Sequence, residues 1–323
     1  MIASRLLRAG ILATAGFGAC MFLADSASAA APFSKTPAPG FYRIKVGDIE
    51  VTTLNDGTVQ LPVADLLTGA KPGEVDKALS RVYLKSPVET SFNGFLINTG
   101  SKLVLVDTGA GKFFGPTLGN LVANLRAAGY QPEQVDEVYI THMHSDHIGG
   151  LLTDGKASFP NAILRADKHE TDYFLSKENL DKTPEKEKGK FQNPQAAFKP
   201  YIDAGHFKAI EGDGELVPGV KSHASYGHTP GHTTYMVESK GQKLALWGDL
   251  MHVAAVQFPD PDVTMQFDSD SKAAATQRKK AYAEAAKEGY LVAGAHLSFP
   301  AIGRIRANGK GYDWIPYNYS PVK

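Results

Sequence analysis

Cysteine is nearly absent, net charge is absent, and no segment repeats. Each lack removes a class of explanation. The single cysteine, Cys20, lies in a leader treated below. A chain processed after that leader has no disulfide, and no metal in it has a thiolate ligand. Lys plus Arg and Asp plus Glu each number 34, without a long basic run, so no nucleic-acid partner is expected. The absence of self-similarity at ~20–50 residues excludes solenoids and propellers. What remains is a chain of 323 residues, 43% hydrophobic, long enough for one large core.

The N-terminus carries the pattern of a secretory leader. Arg5 and Arg8 precede the apolar stretch Ala9 to Leu23, and Ala27-Ser28-Ala29 forms a small-residue exit. Cleavage is expected after Ala29, which makes residues 1–29 a signal peptide and the product exported, periplasmic or secreted. A membrane anchor is the competing reading, but the apolar stretch is short and contains glycine. No membrane partner is therefore expected after cleavage. Residues 30–40 read as an extended N-terminal arm, and residues 41–323 as one catalytic domain.

Within that domain, Tyr42–Val46 and Ile49–Leu54 read as a hairpin around Gly47-Asp48. Phe95–Asn98, Leu103–Asp107, Val135–Ile140, Ala162–Arg165 and Lys243–Trp247 read as further strands. Leu118, Leu121, Val122, Leu125 and Ala128 recur at helical spacing, with Gly129 as the stop. Lys272–Lys287 reads as a helix capped by Ser271 and Gly289. Residues 176–195 are charged and contain proline, and read as a surface loop with room for a lid. Strands mixed with helices predict a layered α/β domain.

One stretch concentrates chemistry. Thr141-His142-Met143-His144-Ser145-Asp146-His147-Ile148-Gly149-Gly150 packs three of the chain's ten histidines behind a predicted strand. In extended backbone His142 and His144 point the same way, while Asp146 and His147 open a new turn. Imidazole and carboxylate suit zinc and similar ions. Gly149 and Gly150 are expected to let the backbone turn away. Further donors stand at element ends: His228 and His232 in Gly227-His228-Thr229-Pro230-Gly231-His232, Asp249 after an apolar strand, and His296 after another.

The series His142-x-His144-x-Asp146-His147, then His228, Asp249 and His296, resembles the binuclear metallo-β-lactamase superfamily. The resemblance implies an αββα sandwich of two mixed sheets flanked by helices. It implies two divalent metal ions as cofactors, with zinc the expected ion. His142, His144 and His228 would hold one metal, Asp146, His147 and His296 the other, and Asp249 would bridge them. His232 would support its loop. Asp107 matches the family's carboxylate behind a ligand histidine. A homodimer is implied as well.

A narrower resemblance joins residues 98–109, residues 114–119 and His296-Leu297-Ser298-Phe299-Pro300 to the methyl parathion hydrolase group and its dihydrocoumarin-type lactonase relatives. That group implies an aryl pocket at Phe114, Phe174 and Phe191. A tryptophan usual at one of those positions is Phe174 here. Organophosphate-degrading members carry Leu at His252, Arg at Leu67, and Thr and Leu at Met265 and Phe267. The loop before Phe191 is also one residue shorter. His252 could bond a substrate oxygen, and Met265 and Phe267 would narrow the pocket. These departures favour a flat aryl lactone or aryl ester, attacked by metal-bound hydroxide, with phosphotriester hydrolysis as a side activity. Phosphotriester hydrolysis as the main activity is the alternative; a β-lactamase and a non-catalytic exported metal-binding protein are the rivals.

Overall fold

The computed structural model describes residue 31 and residues 33–321. The predicted leader lies outside the described residues, and residues 31 and 33–37 carry neither helix nor strand. The body is Ala38–Lys323.

Alternation explains the first sheet. Phe95 and Ile97 join one buried cluster, while Leu96 between them joins another. Val104 and Val106 separate from Leu103 and Leu105 in the same way. A strand buried on both faces splits its side chains with period two. Seven strands in chain order form this sheet: β1 (Phe41–Val46), β2 (Ile49–Leu61), β3 (Val88–Asn98), β4 (Leu103–Val106), β5 (Glu137–Tyr139), β6 (Ile163–Asp167) and β7 (Phe207–Ile210). The first four are antiparallel neighbours, and β4 to β7 pair in parallel. Parallel pairing needs crossovers. These carry the helices Leu121–Ala127, Lys168–Phe174 and Gly189–Asp203. Leu121, Leu125, Phe198 and Tyr201 cover the outward Leu96, Leu105 and Leu164.

The second sheet also runs in chain order: β8 (Gly214–Val217), β9 (Val220–Ala224), β10 (Thr233–Ser239), β11 (Gln242–Leu246), β12 (Leu291–Ala293), β13 (Ile302–Asn308) and β14 (Gly311–Pro316). Its β11–β12 pair is parallel, and that crossover carries the helix Ser271–Glu288. Tyr282 of this helix stacks on Trp247 at 5.3 Å. Val51, Phe95 and Val104 of the first sheet meet Val220, Tyr235 and Leu244 of the second in one core. This is the expected αββα arrangement. Among the described residues no helix is long and apolar enough to cross a membrane.

Four local expectations change. The stretch 176–195 is helical, not a loop: Lys177–Lys182 forms one helix and Gly189–Asp203 begins another. Ser176 caps the former through the Asn179 amide, and Lys177–Asp181 and Glu178–Lys182 pair along it at helical spacing. The charges that suggested a solvated loop are therefore those of a solvated helix face. The cap of the helix at Ser271 is Asp270, which accepts from the Ala273 amide at 2.9 Å. Leu118 is buried but precedes the helix Leu121–Ala127. Gly149 and Gly150 have no positive φ, so they are not needed for an unusual turn. A Cβ at either would collide with the carbonyl of Ala110 or of Thr108, so they serve close approach of two backbone segments.

Asp56 organises the loop that follows β4. Its carboxylate accepts from the amides of Ala110 (2.9 Å), Gly119 (3.0 Å) and Leu121 (2.9 Å). It thus closes both ends of the segment bearing Phe113 and Phe114. Asp56→Ala leaves these donors without their acceptor, at ~1 kcal/mol or more each. The thermal midpoint should fall by about 6 °C or more in a calorimetric scan. An unchanged midpoint would show that the clasp contributes nothing.

Candidate metal centre

Each donor leaves a sheet at a strand end. The His142–His147 stretch follows β5, His228 lies between β9 and β10, Asp249 follows β11, and His296 follows β12. The loops converge so that His142, His144, His228 and Asp249 form one group and Asp146, His147, Asp249 and His296 a second, with ligand atoms within 4.8 Å in each. Asp249 belongs to both. Its Oδ2 lies 3.4 Å from His228 Nε2, and its Oδ1 lies 3.2 Å from both His147 Nε2 and His296 Nε2.

Hydrogen bonds behind the rings assign their tautomers. Asp107 accepts from the Thr141 amide and hydroxyl and faces His147 Nδ1, all at 2.8 Å. Thr141 Oγ1, donating to Asp107, is left to accept from His142 Nδ1 at 3.1 Å. One carboxylate thus orients two histidines. It does so from the left-handed region, at φ 58°, a costly conformation held by these bonds. His228 Nδ1 donates to Asp268 at 2.7 Å, and His296 Nδ1 to the Ser91 carbonyl at 3.3 Å. Asp268 was missed in the sequence because nothing in Phe267-Asp268-Ser269 announces a partner 40 residues away.

With those protons placed and the rings neutral, as cation binding requires, the inward nitrogens present lone pairs. His142 Nε2 and His228 Nε2 both aim at His144 Nδ1, at 2.9 and 3.2 Å. One hydrogen on His144 can satisfy only one of them. His147 Nε2 faces Asp249 Oδ1 at 3.2 Å and Asp146 Oδ2 at 3.3 Å, acceptor against acceptor. His147 Nε2 and Asp249 Oδ1 are buried without a hydrogen bond. Such convergence of buried acceptors costs several kcal/mol unless a cation lies among them. Nitrogen and carboxylate donors in two tetrads sharing one carboxylate fit a pair of divalent cations.

Protons respond to the same field. Burial pushes His142 down and takes His144 to about 3, reinforced by neighbouring imidazoles. Burial also opposes charge on His228 and His296, but the carboxylates around them outweigh it and hold these rings at about 9 and about 10. For Asp249 burial favours the neutral acid, yet His147, His296, His252 and His142 keep it well below the carboxylate range. The site attracts positive charge.

His232 is settled by its bonds. Its Nε2 accepts from the Asp249 amide at 3.1 Å and its Nδ1 donates to the Ser225 carbonyl at 3.2 Å. Both nitrogens are used, so His232 holds Asp249's backbone, while His228 joins the donors.

A cleft of about 320 Å³ opens over the donors. Phe114 and Phe267 line it, with His252 beside Asp249. Val59, Leu61 and Phe92 complete an apolar wall that the sequence reading did not include. The other pocket expectations are corrected. Phe174 and Phe191 are 3% and 2% exposed and join the core; Phe174 meets the edge of His144 from behind. Leu67 pairs with Met265 in a two-stranded ladder, and both are buried in a separate cluster with Val63 and Leu79. These four residues pack behind the cleft instead of lining it.

The metal-free protein should bind two equivalents of divalent cation per chain by elemental analysis. His144→Ala and His296→Ala should each lower this to about one, and uptake of two by either variant would contradict the assignment. Asp268→Ala, which frees the His228 ring, should weaken one equivalent by about 10- to 100-fold in a chelator competition.

Known proteins resemble this chain in sequence and in fold. The family model of the metallo-beta-lactamase superfamily matches residues 91–296. The chain is 28% identical over 160 residues to an N-acyl homoserine lactonase of Bacillus cereus, a match covering 50% of this chain and 56% of that relative. The chain thus spans little more than half the length of that relative. The crystal structure of AbOPH, described as a hydrolase in the beta lactamase superfamily, is 36% identical, with a TM-score of 0.84 over 88% of this chain and 100% of its own. The dizinc quorum-quenching lactonase AidC, solved with a homoserine product, is 27% identical, with a TM-score of 0.81 over 87% of this chain and 99% of its own. Motif, sandwich and matched span lead to one conclusion: this chain belongs to the metallo-β-lactamase superfamily.

Proposed function

We propose that the protein is a metal-dependent hydrolase of lactones and esters with an apolar or aryl group, using two zinc ions. The carrying observation is the juxtaposition of two donor tetrads sharing Asp249 with a cleft walled by Val59, Leu61, Phe92, Phe114 and Phe267. The lactonases among the similar proteins support a lactone. The aryl preference rests on the aromatic wall and on the stretches resembling the methyl parathion hydrolase group. We further propose export through the leader at residues 1–29, and a homodimer on the strength of the resemblance.

Two divalent cations held by these tetrads would supply Lewis acidity and lower the pKa of a water toward neutrality. The chain's own residues do the rest. Asp249 keeps the two tetrads at bridging distance. Asp107 and Asp268 fix the rings of His142, His147 and His228 with their inward nitrogens free of protons. The apolar wall excludes water and receives the substrate's organic group. His252 stands at the cleft with Nε2 3.0 Å from Asp249 Oδ2, and both its ring nitrogens are buried without a hydrogen-bond partner. There it can orient a substrate oxygen. An aryloxide leaves readily, so the reaction needs no strong protein acid. Phosphotriester hydrolysis is the second reading. Phe267, where organophosphate-degrading members carry Leu, lines the cleft and narrows the space for a tetrahedral substrate, which makes it the lesser activity.

Purified zinc-loaded protein should hydrolyse dihydrocoumarin faster than paraoxon, and leave nitrocefin intact. Nitrocefin turnover exceeding that of dihydrocoumarin would replace the proposal with a β-lactamase. His252→Leu should lower lactone kcat/KM roughly tenfold, the equivalent of one hydrogen bond of ~1.4 kcal/mol, and raise paraoxon turnover. Unchanged rates on both substrates would remove His252 from the reaction.

A further inference from the structure

Glu170 is a buried carboxylate that the chemistry above does not use. It is fully enclosed in the helix Lys168–Phe174, and no Lys or Arg pairs with it among the described residues. Its two oxygens accept from two different loops. Oε1 takes the Met143 amide and Oε2 the Gly231 amide, both at 2.7 Å. Met143 lies between His142 and His144. Gly231 closes the loop that carries His228. The approach is close enough that a Cβ on Gly231 would collide with the backbone and Cβ of Glu170. The glycine in Pro230-Gly231-His232 is therefore a contact surface for this helix.

The geometry points to Glu170 as a positioning residue that staples the His142–His144 loop to the His228 loop. It thereby sets one donor tetrad and not the other. His142, His147 and His228 each have a carboxylate-linked hydrogen bond behind the ring. His144 has no such bond among the described residues, so its place depends on the backbone that Glu170 holds at Met143. The histidines of the second tetrad are ordered by other groups, Asp107 behind His147 and Ser91 behind His296, while His232 on the Asp249 amide serves the carboxylate that both tetrads share. Glu170 makes no hydrogen bond to any of these.

The inference rests on the two-cation reading, and its test separates the two. Glu170→Gln keeps the shape but turns an amide donor toward one of the two backbone N–H groups. Glu170→Asp is one methylene too short to reach both. Zinc affinities are read by competition with a chromophoric chelator, and the occupancy of each tetrad by anomalous diffraction at the zinc edge. Wild type is expected to hold zinc at both tetrads. Glu170→Gln should bind one equivalent about 10- to 100-fold more weakly, with density lost at His142, His144 and His228 and retained at Asp146, His147 and His296. Glu170→Asp should not rescue the loss. Equal weakening at both tetrads, weakening at neither, or a glutamine variant unfolded by circular dichroism before zinc is added would each overturn the staple. Wild-type protein that takes up no zinc would overturn the two-cation reading itself, and the staple with it.

Discussion

Acceptor facing acceptor in a buried space is the constraint on which the rest of this structure depends. Nε2 of His142 and His228, and Nε2 of His147 with the Asp249 carboxylate, are aimed at common points with their protons already committed outward. Left alone, such a cluster would repel itself or draw in protons, as the raised His228 and His296 show. Holding it together takes a rigid frame. Two sheets packed face to face supply that frame, and the donor loops leave their strand ends toward one place. Asp107, Asp268, His232 and Glu170 then fix rings and loop backbones from outside the cluster.

The same arrangement explains why the cleft is chemically divided. Its base carries the charged donors, and its wall is built from β2 and β3 residues and two loop phenylalanines. Val59 and Leu61 come from the end of a long strand, and Phe114 from a loop clasped at both ends by Asp56. The proposed substrate, with an apolar group and a polar ester head, matches both parts. The fold therefore does more than present metal ligands. It sets an apolar surface at a fixed distance from them.

Much of this was legible in the sequence, for identifiable reasons. The donors sit at the ends of short apolar strands, and local pattern shows where strands end. The His-x-His-x-Asp-His spacing is itself local. Asp107 was legible because it too ends a strand, before Gly109. The illegible parts depend on tertiary contact. Asp268 and Glu170 are ordinary acidic residues until the fold brings a ring or two backbone amides to them. Phe174 and Phe191 are aromatic near the site, and only the packing of the helices Lys168–Phe174 and Gly189–Asp203 shows that they face the core. The charged stretch at 176–195 was misread because a solvated helix and a solvated loop share a composition.

In the proposed reaction, catalysis belongs to the paired site, with Asp249 joining its halves. The most direct measurement titrates zinc into metal-free protein while following dihydrocoumarin hydrolysis. Hydrolysis should be absent without metal and reach its maximum at the second equivalent per chain. Full turnover in the metal-free protein, or a maximum at one equivalent, would contradict it.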